Sequence, residues 1–370
     1  MRVKLKDITK FSKGTQINGK NLIDDGAYSY LNGGINPSGK WNEFNVAENT
    51  VTISEGGNSS GYVNYMNDAF WCGAHCYYLY DGPKNSKYLY YALKSQQERL
   101  FRIRSGACMP NIKKSDLGNF IIEYEKDEVR QEEVVKVLEK CELLIEDYNK
   151  KLTLLDEAVR ARFVEMFGDP VINSCQFPVQ PMTDICDIID GDRGKNYPKS
   201  EEILDDGYCL FLNAKNVTQK GFDFENCNFI TREKDDALRN GKLSRGDVVL
   251  TTRGTVGNLA YYSKNVPYEN IRINSGMVIL RMNRSILNEI YFIELFKMKL
   301  SDIKEKIASG SAQPQLPIST MNKIILMIPP LELQNQFASF VQEIDKSRLR
   351  ELLAIKQIKL LLNDSWLLLY

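Results

Sequence analysis

Residues 105–140 read SGACMPNIKKSDLGNFIIEYEKDEVRQEEVVKVLEK, and residues 309–344 read SGSAQPQLPISTMNKIILMIPPLELQNQFASFVQEI. At an offset of 204, Gly106 faces Gly310, Pro110 faces Pro314, Ile112 faces Leu316 and Glu128 faces Glu332. A repeat of this size decides the architecture before any single residue does. The starts of the two copies also match. VKLKDITKFSKG from Val3 resembles QPMTDICDIIDG from Gln180, with Asp7-Ile8 opposite Asp184-Ile185 at an offset of 177. The second copy is therefore longer by 27 residues, the difference between the two offsets. Between these anchors ENTVTISEGG (48–57) faces GDVVLTTRGTVG (246–257). A shared framework with a divergent interior predicts two modules doing the same job on different targets.

Short β-branched and aromatic runs predict strands at Thr50–Ile53, Tyr77–Tyr80, Asp247–Leu250 and Gly276–Leu280. Clusters such as Asn32-Gly33-Gly34 and Glu55–Gly61 separate them as turns. Helices are expected at Lys87–Arg104 and Ile290–Ala308, so each module is mixed α/β.

The segment from Glu128 to Phe167 differs in kind. Val134, Leu138, Cys141, Ile145, Tyr148, Leu152, Leu155 and Val159 recur at alternating spacings of 4 and 3, the seam of a coiled coil. Gly168-Asp169-Pro170 supplies the stop. At ~1.5 Å per residue the helix is a rod of roughly 60 Å. From Glu332 a second apolar stripe runs through Phe337, Val341 and Ile344, slips near Arg348, and resumes with Leu352, Ile355, Leu362 and Trp366. Two stripes of similar length in one chain predict an antiparallel pair. The expected fold is α+β: two mixed α/β modules (1–127 and 169–331) joined by two long helices (128–168 and 332–370) that form an antiparallel coiled coil.

Lys+Arg and Asp+Glu balance at 48 each, which argues mildly against a free-standing nucleic-acid binder, whose footprint is usually basic. Charge segregated between faces, or supplied by a partner, leaves that class open. The eight cysteines (72, 76, 108, 141, 175, 186, 209 and 227) follow no framework spacing. With no signal peptide and no stretch of eighteen apolar residues, the expectation is a cytoplasmic protein with reduced thiols and no membrane span.

The search for chemistry comes back empty. There is no G-x-x-x-x-G-K-[ST] and no G-x-G-x-x-G following a strand, so Glu55-Gly56-Gly57 and Arg253–Gly257 read as loops. Cys72-Gly73-Ala74-His75-Cys76 offers soft ligands, but zinc sites normally add a second ligand pair elsewhere, and the aromatic flanks suggest a buried strand. His75 is the only histidine, which leaves little room for triad chemistry. Asp205-Asp206 and Glu201-Glu202 fit solvated faces, and Ile328-Pro329-Pro330-Leu331 lacks the amide and aromatic of an amino-methyltransferase motif. No catalytic, cofactor-binding or metal residue is assigned.

Polar and basic loops remain, at matching places in both modules. The first carries Asn32, Asn36, Lys40, Trp41, Ser54, Glu55, Asn58, Ser59 and Ser60. The second carries Arg193, Lys195, Asn213, Lys215, Asn216, Thr251, Thr252, Arg253 and Asn258. Arg suits guanine edges and Asn adenine edges, while Lys, Ser and Thr reach phosphates. The same residues also serve as plain turns, and the residues alone leave both readings open.

The two framework stretches resemble the conserved segments that close each target-recognition domain in specificity subunits of type I restriction-modification enzymes. Lys87–Lys94, Ala158–Asp169 with its Met-Phe-Gly-Asp, and Phe70–Ala74 are similar to that family as well, so the resemblance spans nearly the whole chain. It implies a DNA-binding, non-catalytic subunit whose two recognition domains each read half of a split double-stranded DNA site. The helices would form the ruler between the halves. It further implies two modification subunits carrying S-adenosylmethionine and DNA methylation, and restriction subunits using ATP and Mg. The chain begins at the first recognition domain with no leading helix, and ends in NDSWLLLY (363–370) where members usually continue with a polar, basic tail. Two other roles fit the same residues: a silent or alternate specificity copy, and a coiled-coil protein–protein scaffold that reads no DNA.

Overall fold

The computed structural model describes residues 1–106, 109–308 and 315–368. Cys108, and Gly310 and Pro314 of the repeat, lie outside the described residues, as do the side chains of 301–308 and 363–368, Trp366 among them. The chain forms two compact units, residues 1–150 with 351–370, and residues 151–350. Each unit thus takes a recognition module together with part of both long helices.

In the first unit Arg2–Lys4 pairs antiparallel with Ile121–Glu123, tying the start of the module to its end. A four-stranded antiparallel sheet has the order Lys10–Lys13, Cys76–Tyr80, Thr50–Ser54, Val63–Met66. A three-stranded sheet has the order Gly39–Trp41, Tyr28–Leu31, Phe70–Cys72, the last two parallel. The second unit repeats each step. Val179–Pro181 pairs with Ile325–Met327. The larger sheet runs Cys186–Asp190, Met277–Met282, Val248–Thr251, Leu259–Tyr261. The smaller runs Phe229–Ile230, Cys209–Leu212, Ile271–Ile273, again with the last two parallel. The duplication read from the chain ends therefore extends to strand order and direction. The second module also carries a small hairpin (Val217–Thr218 with Gly221–Phe222) and the helix Arg232–Ala237.

The helix expected over 87–104 is two helices, Ser86–Lys94 and Gln97–Arg102. The Gln97 side chain accepts from Val63 N at 3.0 Å and donates to Gly61 O at 2.6 Å, which ties the break to the neighbouring strand. The second module keeps Glu289–Ala308 as one helix.

Both long helices follow from local signals. Glu128–Phe167 contains no Gly or Pro, and Asp127 Oδ1 accepts from Val129 N at 3.0 Å in its first turn. Gly168, at φ 73°, ends it in the left-handed region open to glycine. Leu331–Leu368 starts directly after Pro329-Pro330. Near each start a buried glutamine satisfies the entering backbone: Gln131 Nε2 donates to Glu125 O at 2.6 Å, and Gln334 Nε2 to Pro329 O at 2.8 Å.

Along the central helix all eight expected seam positions, from Val134 to Val159, are buried or half-buried, and most residues between them are exposed. The C-terminal helix needs a correction. Leu352 is 47% exposed, so it is not a seam residue. Protected positions include Phe337, Val341, Ile344, Arg348, Glu351, Ile355, Ile358 and Leu362, an unbroken 4-3 alternation that passes through two charged residues. The apparent slip arose because hydrophobicity marks a seam only where its layer is apolar. Arg348 is instead paired with Asp156 Oδ1 at 2.5 Å and Asp345 Oδ1 at 2.5 Å. The Leu352→Glu variant is accordingly expected to change stability by no more than about 0.5 kcal/mol. Ile355→Ala should cost about 2 kcal/mol or more in urea unfolding. Equal costs would restore the broken seam.

Aromatic layers join helix to module. In the second unit Phe163 stacks on Tyr291 at 5.6 Å and meets Phe337 edge-on at 5.4 Å, and all three are fully buried. In the first, Val135 and Leu138 of the central helix share a core with Tyr88, Leu89 and Ile122, and Tyr91 Oη donates to Glu142 Oε2 at 2.7 Å.

Candidate nucleic-acid interface

In each module the loops that hold the candidate residues are tied to one three-residue turn. In the first module that turn is Gly73-Ala74-His75. Gly73 N donates to Leu31 O at 2.9 Å, His75 N to Asn32 Oδ1 at 3.3 Å, and Glu55 N to His75 O at 2.8 Å. Gly73 must be glycine, because a Cβ there would lie 2.1 Å from Asn32 Oδ1. In the second module the turn is Asn274-Ser275-Gly276. Asn274 N donates to Leu212 O at 3.2 Å, and Thr252 N to Gly276 O at 2.9 Å. The equivalence extends outward: Ile112 N donates to Glu55 O at 2.9 Å, and Leu316 N to Thr252 O at 3.0 Å. The same backbone scaffold therefore presents different side chains, Glu55 against Thr252 and His75 against Gly276.

The eighteen loop candidates divide by exposure. Asn36, Lys40, Asn58, Arg193, Lys195, Lys215 and Arg253 are exposed. Asn32, Ser59 and Asn213 are half-buried, as are Trp41 and Glu55. The other six are interior, and their side chains hold the loops together. Ser54 Oγ donates to Gly33 O, and Ser60 Oγ to Glu55 O at 2.8 Å. Asn216 Nδ2 donates to Asp223 O at 3.0 Å and Asn226 O at 2.9 Å. Thr251 Oγ1 donates to Thr255 O, Thr252 Oγ1 to Gly276 O at 3.0 Å, and Asn258 Nδ2 to Val217 O at 2.9 Å. Short polar side chains make turns as readily as they meet bases, and only burial separates the two uses.

The Cys72–Cys76 run is a strand, a turn and a strand. Cys72 Sγ donates to Cys76 O at 3.4 Å, and hydrogen bonding to Cys76 together with burial pushes its thiol pKa far above the ordinary range. His75 is exposed and sits 3.4 Å from Glu55 Oε2. No cluster of three metal-ligating side chains occurs among the described residues, and no described helix is long and apolar enough to cross a membrane.

Two groups escaped the candidate set. Lys13 Nζ contacts Glu55 Oε1 at 2.7 Å, and Asp190 contacts Arg193 Nη2 at 3.1 Å. Lys13 is opposite Tyr77 and Asp190 opposite Val278, each the second residue of the equivalent strand. The signal was present in the repeat itself, where VKLKDITKFSKG and QPMTDICDIIDG place Lys13 opposite Asp190 just before Gly14 and Gly191.

A duplicated reading scaffold on long helices defines a class, and comparison with known proteins names it. The family model of the type I restriction modification DNA specificity domain matches residues 1–155 and 177–360, and the chain belongs to that family. It is a type I restriction-modification specificity subunit, a DNA-binding component of such a complex. A Mycoplasma genitalium protein assigned as a type I specificity subunit is 28% identical over 353 residues, covering 90% of this chain and 84% of the relative. The specificity subunit of the Methanocaldococcus jannaschii type I restriction enzyme MjaIX is 27% identical over 297 residues, covering 74% and 66%. The crystal structure of a type I specificity subunit from M. genitalium has a similar fold, with a TM-score of 0.60 at 22% identity over 99% of this chain and 94% of that one.

Proposed function

We propose that this chain selects the DNA site for a complex whose chemistry resides in other subunits. Each module reads one half of a split double-stranded target. The central and C-terminal helices pair as an antiparallel coiled coil that sets the unread gap and receives two modification subunits. S-adenosylmethionine belongs to those partners, ATP and Mg to the restriction subunits, and this chain contributes no catalytic residue. The observation that carries the reading is the common backbone scaffold with different exposed side chains in the two modules, which suits one task on two sequences. Antiparallel pairing is supported within the unit of residues 151–350, where Phe163 meets Phe337 while the earlier Asp156 meets the later Arg348.

The test is DNA binding by the chain assembled with a modification subunit. Wild type should bind one bipartite sequence with steep salt dependence. Reversing Arg193, Lys195 and Arg253 together to Glu is expected to weaken binding roughly 100-fold at physiological salt. Unchanged binding would favour a protein–protein scaffold and sink this proposal.

A further inference from the structure

The turn after strand Cys186–Asp190 is unusually well fixed for an exposed loop. Gly191 lies so close to the Asn274-Ser275-Gly276 turn that a Cβ on it would sit 2.2 Å from Asn274 O. Asp192, 5% exposed, accepts from Gly194 N at 2.6 Å and from Arg239 N at 2.7 Å. Between them Arg193 projects from a backbone held on both sides. Its own guanidinium is held too: Nη2 donates to Asp190 Oδ1 at 3.1 Å and to Ser275 O at 3.2 Å. The side chain nevertheless stays 46% exposed. Among the described residues both contacts use Nη2, so the two N–H groups of Nη1 remain for a ligand, with Nε on another edge of the guanidinium.

Charge decides which ligand. A guanidinium already paired with Asp190 is a poor phosphate clamp, because an arriving phosphate would be repelled by that carboxylate and by the nearby Asp192. A neutral base edge carries no such penalty, and a prepositioned arginine spends little side-chain entropy in meeting it. Guanine alone turns two adjacent acceptors, O6 and N7, into the major groove with no donor beside them, so the cationic Nη1 donors meet their most favourable edge there. The first module places an acid–cation pair at the same strand end, with Lys13 at the register position of Asp190 and Glu55 supplying the carboxylate. Both modules therefore mark this position, with different groups.

Resting on the reading of this module as one half-site reader, we propose that Arg193 is a specificity-determining residue that reads a guanine in the half-site of the second module, with Asp190 as its positioning residue. The basic side chains Lys195, Lys215 and Arg253 are then left to track the backbone.

The experiment uses the chain assembled with its modification subunit and scores methylation and binding on DNA with each base pair of both half-sites varied. Arg193→Ala should abolish a roughly 5- to 150-fold preference for G·C at one position of one half-site, leaving the other half-site untouched. Arg193→Lys should recover little of it, since an ammonium cannot keep the contacts to Asp190 and Ser275 O while presenting a second donor nitrogen to the base. Asp190→Ala should lower discrimination at that same position. It should also steepen the salt dependence by about one counterion, because the unpaired guanidinium can then take a phosphate; a merely structural role would not move that slope. Uniform weakening on all sequences in Arg193→Ala, with a shallower salt slope, would make Arg193 a phosphate contact and overturn the proposal. So would unaltered selectivity. A wild-type complex that shows no sequence preference would instead overturn the half-site reading itself, and this proposal with it.

Discussion

Replacing Asp235 by alanine is expected to cost the second module about 3–5 kcal/mol, the range seen when one partner of a buried ion pair is removed. Asp235 is completely buried, and its carboxylate receives Arg272 Nε at 2.7 Å and the Lys242 ammonium. Arg272, itself 4% exposed, spends its other donors on Asn240 O at 2.7 Å and Asp235 O at 2.8 Å. Removing the carboxylate strands a guanidinium in the core beside strand Cys209–Leu212. Replacing both buried partners with apolar residues, as in Asp235→Leu with Arg272→Met, should cost less than the single change, because no buried charge is left unpaired and the 42% exposed Lys242 can turn to water. Burial pushes the Asp235 carboxyl up, but the hydrogen bonds and charges of Lys242 and Arg272 outweigh it and hold the pKa below the usual carboxylate range. A folded-state value below the unfolded one of about 3.9 means that this stability is fully present above about pH 4. It is lost as the pH falls through the folded-state value. Denaturant unfolding of wild type and Asp235→Ala should therefore differ most at neutral pH and converge in acid. A gap that is constant down to pH 2 would show that the pair contributes nothing through its charge.

Exchanging the first module for that of another specificity subunit should replace one half-site and leave the other and the gap unchanged. The cut must respect the packing. A junction at residue 127 follows the chain boundary of the module, yet Gln131, Val135 and Leu138 of the following helix lie in or against its core. Gln131 Nε2 reaches Tyr124 Oη at 3.1 Å, and Glu142 accepts from Tyr91. A donor module whose residues do not match this helix face should fold with a loss of several kcal/mol, as expected for mispacked cores. Carrying the donor residues at 131, 135, 138 and 142 into the chimera should restore the melting temperature without altering the new half-site. Mapping methylated bases and measuring thermal unfolding separate the two effects. If both half-sites change, the modules do not read independently.

Much of this was legible along the chain because repetition is a linear signal. The match of Gly106, Pro110 and Ile112 to residues 204 further on marked two copies of one module. The strands Thr50–Ser54 and Val248–Thr251 then fell where β-branched runs placed them. The protected stripe from Val134 to Val159 was equally plain, since each of its positions is apolar. The pattern failed where the chemistry changed: Arg348 and Glu351 are polar residues at protected positions, and the apolar Leu352 is exposed.

What the chain could not supply by itself was which polar side chains face outward. Asn216, Thr252 and Asn258 have the composition of DNA-reading residues, and their amides and hydroxyls are consumed by backbone groups brought near by tertiary contacts. Arg193 differs from Arg272 by nothing in its residue type. One is half-exposed beside a strand-end carboxylate, and the other is sealed against Asp235. Local pattern determined the two modules, the two helices and the strands, because each rests on periodicity or repetition within a short span. Only the folded structure decided which cations are left for DNA, because solvent exposure and ion pairing depend on residues 37 or 82 positions away.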